Sequence, residues 1–165
     1  MAIHSSIPSM LRESLVEMFL VAKDCINFRK DPNVWGSQGC YGYPAAVLLF
    51  SIADSIGSYV LSGRTRDHFN ILNHNDYYNL NLDTGDIEII YKSYRCLLTH
   101  NAVMAPDTVL DIGQIGDTVF EVVSGVPKVN LAPFLEITQS SLIKFFEDIE
   151  TIVGNSQQLR NILNG

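Results

Sequence analysis

The chain has 165 residues, 47% of them hydrophobic, so it is long enough for one domain with a core and too apolar for a disordered protein. Its net charge of −7 excludes a generally basic surface for nucleic acid, although it allows a small local basic site. Charged residues make up only 18% of the chain, and a helical protein with so few charges often hides surface in a second copy, so we expect a homodimer.

Two long helices are predicted in the first part of the chain. Apolar residues recur at three- and four-residue steps from about Ser9 to Lys30, and Asp31–Pro32 should end this helix. Trp35, in the Gly-rich loop that follows, is expected to pack across the helix ends. A second helix, apolar on nearly all sides, is predicted from Pro44 to about Ser62 and should be central. Its one polar stripe consists of Ser51, Asp54, Ser55 and Ser58.

The second part of the chain predicts three further elements. A short helix near Asp67–Leu72 leads into an Asn-rich loop. A third long helix should run from about Asp86 to Val103 and end before Pro106. Residues 108–135 change period and predict a hairpin or a small sheet of two or three strands. One face of this sheet would carry Thr118, Phe120 and Val122.

The last predicted helix runs from Gln139 to about Val153. The sum is one mainly α domain over residues 1–165. We expect an up-down bundle of four to five helices with a small β-hairpin insertion, at about residues 108–135, before the last helix.

The cysteines, the N-terminus and the most apolar run of the chain indicate where the protein is located and whether it binds a metal or cofactor. Cys25, Cys40 and Cys96 form no Cys-x-x-Cys pair, so neither a disulfide framework nor a zinc site is expected. The N-terminus has no basic segment leading into an apolar one, which predicts no signal peptide. The most apolar run carries an Asp and three serines and favours a buried helix over a membrane span. We expect a cytoplasmic protein without metal, cofactor or membrane contact.

Arg95 and His100 lie close together near the end of the third long helix. Five residues of an α-helix turn by about 500°, so the two side chains would point about 140° apart and could meet only at a helix end or across a dimer axis. A histidine can move a proton and an arginine can hold a phosphate. The pair suits metal-free cleavage of RNA by attack of the ribose 2′-OH. The structural alternative is that cations near a helix C-terminus complement its dipole.

Three other residues could support such a site. Asp54 lies on a helix so apolar that its carboxylate needs a partner, and Arg95 is the attractive one; otherwise Asp54 would be structural, bonded to Tyr or Ser neighbours. Tyr91 could stack under Arg95 or under a base, or could simply pack in the core or an interface. Asn101 could bind phosphate or cap the helix.

Three residues have a mainly structural interpretation. Cys96 lies one turn before His100, but a buried thiol is the default for such a cysteine. His68 and His74 lie in a polar segment and are expected to be solvated loop residues rather than metal ligands.

The stretch "IYKSYRCLLTHNAV", after a helix containing "LLFSIADSIGSYV", resembles the HEPN family, whose mark is an Arg, four to six residues and a His on a late helix. The resemblance covers about residues 10–155 in layout and 91–101 at motif level. It implies a mostly dimeric helical domain, as in many ribonucleases of toxin–antitoxin and phage-defence systems, with Arg95 and His100 lining a cleft at the dimer interface.

Two positions depart from the family pattern. Cys96 stands where active members often have a polar residue, usually Asn. Ala102 stands where members paired with a nucleotidyltransferase antitoxin often have a modified Tyr, so that pairing is not expected. Three hypotheses follow: a dimeric endoribonuclease; a non-catalytic HEPN-like dimer that binds RNA, a nucleotide or a protein partner such as an antitoxin; and a helical dimer in which the pair is only structural.

Overall fold

The computed structural model describes residues 5–61, 63–96, 103–156 and 159 of a mainly helical chain. Its α-helices are α1 (Ile7–Asn27), α2 (Pro32–Trp35), α3 (Gly42–Val60), α4 (Thr65–His68), α5 (Thr84–Ile89), α6 (Leu131–Glu147) and α7 (Ile149–Asn155). A 3₁₀-helix (Phe69–Asn73) follows α4, and a π-helix (Ile90–Cys96) follows α5. The strands are β1 (Val109–Asp111), β2 (Phe120–Val123) and β3 (Val126–Asn130).

The first helix agrees with the predicted one to within a few residues at each end. The Ser6 hydroxyl accepts a hydrogen bond from the Ser9 amide and caps α1, whose first turn contains Pro8. The helix ends at Phe28, which is extended, before Asp31–Pro32. Trp35 does not pack across the helix ends as predicted, because it is 65% exposed.

Helix α3 is the central helix, as predicted. It packs against α1, α6 and the 3₁₀-helix. By length and composition alone it could cross a membrane, but here its apolar face forms the core of the fold. The buried residues of α3 are Ala45, Ala46, Leu49, Phe50, Ile52, Ala53, Ile56 and Gly57.

The third long α-helix, predicted from Asp86 to Val103, is wrong in type and extent. Asp83 caps α5 by accepting a hydrogen bond from the Asp86 amide at 2.8 Å, and α5 becomes a π-helix after six residues. Val103 is not helical, and residues 97–102, including His100 and Asn101, lie outside the described residues.

Tyr94 connects this π-helix to the sheet. Its side chain is buried, and its hydroxyl donates a hydrogen bond to the Pro127 carbonyl at 2.7 Å, with the Val109 carbonyl 3.3 Å away. Burial raises the pKa of Tyr94 to about 12. Tyr94 and its partners on the strands are distant in sequence, so the spacing of apolar residues along the helix does not predict this contact.

The β-hairpin predicted before the last helix is present and belongs to a three-stranded sheet of order β1-β3-β2. Strands β2 and β3 are antiparallel, while β1 pairs with β3 in parallel. Ser124 and Gly125 both have positive φ in the hairpin turn, as the twist of a two-residue turn requires. Phe120 and Val122 are two residues apart in β2 and therefore share a face, as predicted, whereas Thr118 precedes the strand. Of these residues only Phe120 is buried, because Val122 lies beside the hairpin turn on an edge strand.

The last helix begins earlier than the predicted Gln139. Strand β3 ends at Asn130 and α6 begins at Leu131, because Pro133 fits a first helical turn and Phe134 is buried there. Asp148 then separates α6 from α7, so the predicted single helix is divided in two.

Candidate functional site

Asp54 forms the centre of the candidate site. It lies on α3, and its side chain is only 15% exposed. Its Oδ2 atom accepts a hydrogen bond from Arg95 Nη2 at 2.8 Å, so the acid has the partner that the sequence predicted. A charge-assisted bond of this length fixes the guanidinium against α3.

His68 is the second partner of Asp54, and the sequence did not predict it. Its Nδ1 atom lies 3.3 Å from Asp54 Oδ1, and its side chain is 7% exposed. The prediction of a solvated loop histidine is therefore wrong for His68. If Nδ1 carries the proton and donates it to the carboxylate, Nε2 is the basic nitrogen of the ring.

Gly57 explains how His68 comes so close to α3. It lies one turn after Asp54 on the same face of the helix. A Cβ atom at Gly57 would collide with the His68 carbonyl oxygen and lie 2.8 Å from its carbonyl carbon. The glycine therefore lets the backbone of α4 approach α3, and the approach places the His68 ring beside Asp54.

Arg95 reaches the site from the π-helix rather than from an α-helix. Its side chain is 19% exposed, so the guanidinium is sheltered but still accessible to solvent. The α-helical rotation calculated between Arg95 and His100 does not apply to the first part of the motif, because residues up to Cys96 follow i→i+5 geometry. Single π-helical turns occur frequently at functional sites.

Tyr91 and Cys96 lie beside this cluster. The Tyr91 ring contacts Phe69 edge to face, with ring centroids 5.4 Å apart, which is the packing role considered from the sequence. A hydrogen bond with Cys96 raises the pKa of Tyr91, and burial raises it further, whereas the nearby Arg95 lowers it. The Tyr91 hydroxyl therefore stays protonated at neutral pH.

The cluster brings three chain segments together around one carboxylate. Asp54 comes from α3, His68 from the end of α4, and Arg95 with its neighbours from the π-helix. One carboxylate between Arg95 and His68 orients both side chains. The arrangement can hold an anion beside Arg95 and can keep His68 in one tautomer. Asn101 and His100 lie outside the described residues.

The described part of the chain contains no group of three or more His, Cys, Asp or Glu side chains that could hold a metal ion. Comparisons of the chain with models of protein families, with curated proteins and with solved structures found no match. The functional argument therefore depends on the residues and the geometry of the cluster around Asp54.

Proposed function

We propose that this chain is a HEPN-like, metal-independent endoribonuclease of the toxin or defence type that works as a cytoplasmic homodimer. Arg95 and His100 are its catalytic residues. The observation that supports the proposal most is the 2.8 Å bond between Asp54 and Arg95. This bond fixes the guanidinium of Arg95 against α3, whereas the side chain of an arginine at the surface is free to move.

The reaction balances without a metal. His100 removes the proton from a ribose 2′-OH, and the 2′-oxygen forms a bond to the adjacent phosphorus. The bond from phosphorus to the 5′-oxygen breaks, and the imidazolium returns the proton to the leaving oxygen. Arg95 stabilises the negative charge on the non-bridging phosphoryl oxygens. The products are a 2′,3′-cyclic phosphate and a 5′-OH end.

Asp54 and His68 are positioning residues in this proposal. Asp54 holds the guanidinium of Arg95, and His68 occupies the second carboxylate oxygen. With both oxygens engaged, the carboxylate cannot rotate to release Arg95 without losing a second contact. Arg95 is thus oriented before RNA binds, which reduces the ordering that binding requires.

A second candidate function is a non-catalytic HEPN-like dimer that binds RNA, a nucleotide or an antitoxin-type protein. Two observations favour it. Cys96 replaces the polar residue that often follows the motif arginine, and Asp54 neutralises part of the charge that Arg95 would offer to phosphate. Such a protein would bind the same anion without cleaving the RNA.

Cleavage of a mixed-sequence single-stranded RNA, with divalent metals chelated, tests the proposal. We expect the wild-type protein to produce 2′,3′-cyclic phosphate ends and to leave a fully 2′-deoxy strand intact. His100→Ala should abolish cleavage, whereas His74→Ala, which changes a partly exposed loop histidine, should retain it. Binding of RNA without cleavage would favour the second candidate. Cleavage that survives His100→Ala would exclude the proposed chemistry.

A further inference from the structure

Four aromatic side chains are exposed around the segment that connects α1 to α3. Each is 40% exposed or more, and together they define the aromatic platform: Phe28, Trp35, Tyr41 and Tyr43. Trp35 is the only tryptophan of the chain and is 65% exposed. Aromatic rings of this size are usually buried, so a group of them at the surface indicates a binding surface.

The backbone that carries the platform is held in place. The Tyr41 amide donates to the Cys25 carbonyl at 3.0 Å, and the Lys30 amide donates to the Gly39 carbonyl at 2.8 Å. The Asp31 carboxylate caps α2 by accepting from the Asn33 amide at 2.9 Å. The two arms of the loop are therefore joined, and the rings do not have to be ordered by a ligand.

Phe28 and Tyr41 form a stacked pair. Their ring centroids are 4.3 Å apart, and their planes differ by 6°. Both residues are also about two-fifths exposed, so the stacked pair is accessible to a ligand. A flat aromatic surface is suited to stacking with a nucleobase, and this contact is tolerant of sequence because every base has a planar face.

The platform is also bordered by cations that no carboxylate neutralises. Three cations of this segment form no ion pair among the described residues: Lys23, Arg29 and Lys30. The Arg29 guanidinium donates to the carbonyls of Ile26 and Phe28, and with Asp24 and Asp31 the segment has a small net positive charge. Arg12 and Arg64 likewise form no ion pair with a described residue, whereas five other cations do: Arg66, Lys92, Arg95, Lys128 and Lys144. A positive segment in a chain of net charge −7 is complementary to a phosphate backbone.

We infer that the aromatic platform binds single-stranded RNA, with bases stacked on its rings and phosphates beside Lys23, Arg29 and Lys30. The choice of RNA rests on the proposed function. A second copy of the chain fits this surface less well. In a two-fold interface the same patch faces itself, so the unpaired cations of both copies would be brought together.

The platform lies on the same side of α3 as the candidate site. Tyr43 and Asp54 are separated by about three turns of α3, so they share one face and lie about 16 Å apart along its axis. The face between them is largely covered: Phe50 is buried beneath Phe69, Tyr94 and Phe134, and Ser51 is only partly exposed at its side.

The experiment measures binding separately from cleavage. A short single-stranded RNA with 2′-O-methyl riboses cannot be cleaved through the 2′-oxygen and is titrated into the full chain, with Trp35 fluorescence as the readout. Anisotropy of the same RNA, labelled, is then followed for Trp35→Ala, Tyr41→Ala and Lys30→Gln. Ile115→Ala is the matched control, because Ile115 is 77% exposed on a loop that is distant in sequence. Duplex RNA and single-stranded DNA are the comparison ligands.

We expect saturable quenching of Trp35 by the single strand and not by the duplex. Trp35→Ala and Tyr41→Ala should each weaken binding about 10-fold. Lys30→Gln should weaken it and reduce the slope of log affinity against log salt by about one. Ile115→Ala should bind as wild type. Binding of single-stranded DNA as tight as that of RNA would overturn the choice of RNA as the ligand of this surface.

The inference would be overturned if Trp35→Ala and Tyr41→Ala bound the single-stranded RNA as tightly as the wild-type protein does. A second contrary result combines that unaltered RNA affinity with a change of oligomeric state, in which light scattering shows a dimeric wild-type protein and monomeric variants. The second result would assign the platform to a second copy. Platform-dependent binding without any His100-dependent cleavage of ordinary RNA would refute the ribonuclease proposal alone. His100-dependent cleavage that platform variants retain in full, with normal affinity, would refute the platform alone.

Discussion

Asp54 holds two basic side chains with its two carboxylate oxygens. Oδ2 lies 2.8 Å from Arg95 Nη2, and Oδ1 lies 3.3 Å from His68 Nδ1. All three side chains are less than a fifth exposed. Removing the carboxylate would leave a sheltered guanidinium without its counter-charge, and this is more costly than the loss of a surface ion pair.

We therefore expect Asp54→Asn to lower the free energy of unfolding by about 2 kcal/mol, because the amide keeps the size of the side chain but loses its charge. Chemical denaturation followed by circular dichroism measures the change. Glu88→Gln is the matched control, since Glu88 also binds two cations, Arg66 and Lys92, but at the surface. Its midpoint should stay at the wild-type value. Equal loss in both variants would contradict a special role for the Asp54 cluster.

Gly57→Ala should destabilise the protein by about 1–3 kcal/mol, although alanine is the better helix former. The new Cβ would collide with the backbone carbonyl of His68, which no side-chain rotation can relieve. Gly154→Ala is the control: it lies in α7 and has no atom within 4 Å of an added Cβ. It should be neutral or slightly stabilising. Thermal unfolding of the two variants in parallel tests the expected difference in sign.

Local patterns predicted the parts of the fold that depend on neighbouring residues. The apolar stripe of α1 and the nearly continuous apolar surface of α3 are properties of single helices, and both helices were expected close to their observed ends. The acid on α3 was predicted to pair with Arg95 because an apolar helix leaves a carboxylate few other partners.

Features that depend on distant contacts were missed. The π-helix contains Tyr94, whose hydroxyl is bonded to strand carbonyls that the period of "IYKSYRC" does not encode. His68 looked like a loop residue because its flanking residues are polar, and its partner lies far from it in sequence. Two signals could have indicated its burial: the apolar residues that begin at Phe69, and a glycine within the apolar helix α3 at Gly57.

Tyr94→Phe should cost about 1 kcal/mol of unfolding free energy, because the ring still fills its place while the Pro127 carbonyl loses its donor. Tyr59→Phe is the comparison, since Tyr59 is a partly buried tyrosine that packs against Phe145 and its hydroxyl forms no hydrogen bond with another described residue. The loss of the hydroxyl in Tyr59→Phe should leave the free energy of unfolding unchanged or raise it. Urea denaturation of the two variants gives both values, and a loss in Tyr59→Phe as large as in Tyr94→Phe would show that the bond to β3 is not the cause.

The sheet should lose stability in acid through Asp111. Lys128 lies 3.2 Å from its carboxylate, and this hydrogen bond lowers the pKa of Asp111 below its ordinary value of 3.8. A lowered folded-state pKa means that the stabilisation is fully present above the unfolded pKa and is lost as the pH falls through the folded value. Asp111→Asn should therefore reduce the melting temperature near neutral pH, and its effect should disappear as the carboxyl is protonated in acid below its ordinary pKa. Because Asp111 is 52% exposed, the effect should be small and should diminish with added salt. Melting curves of both proteins at several pH values test this, and a difference that persists unchanged in acid would contradict it.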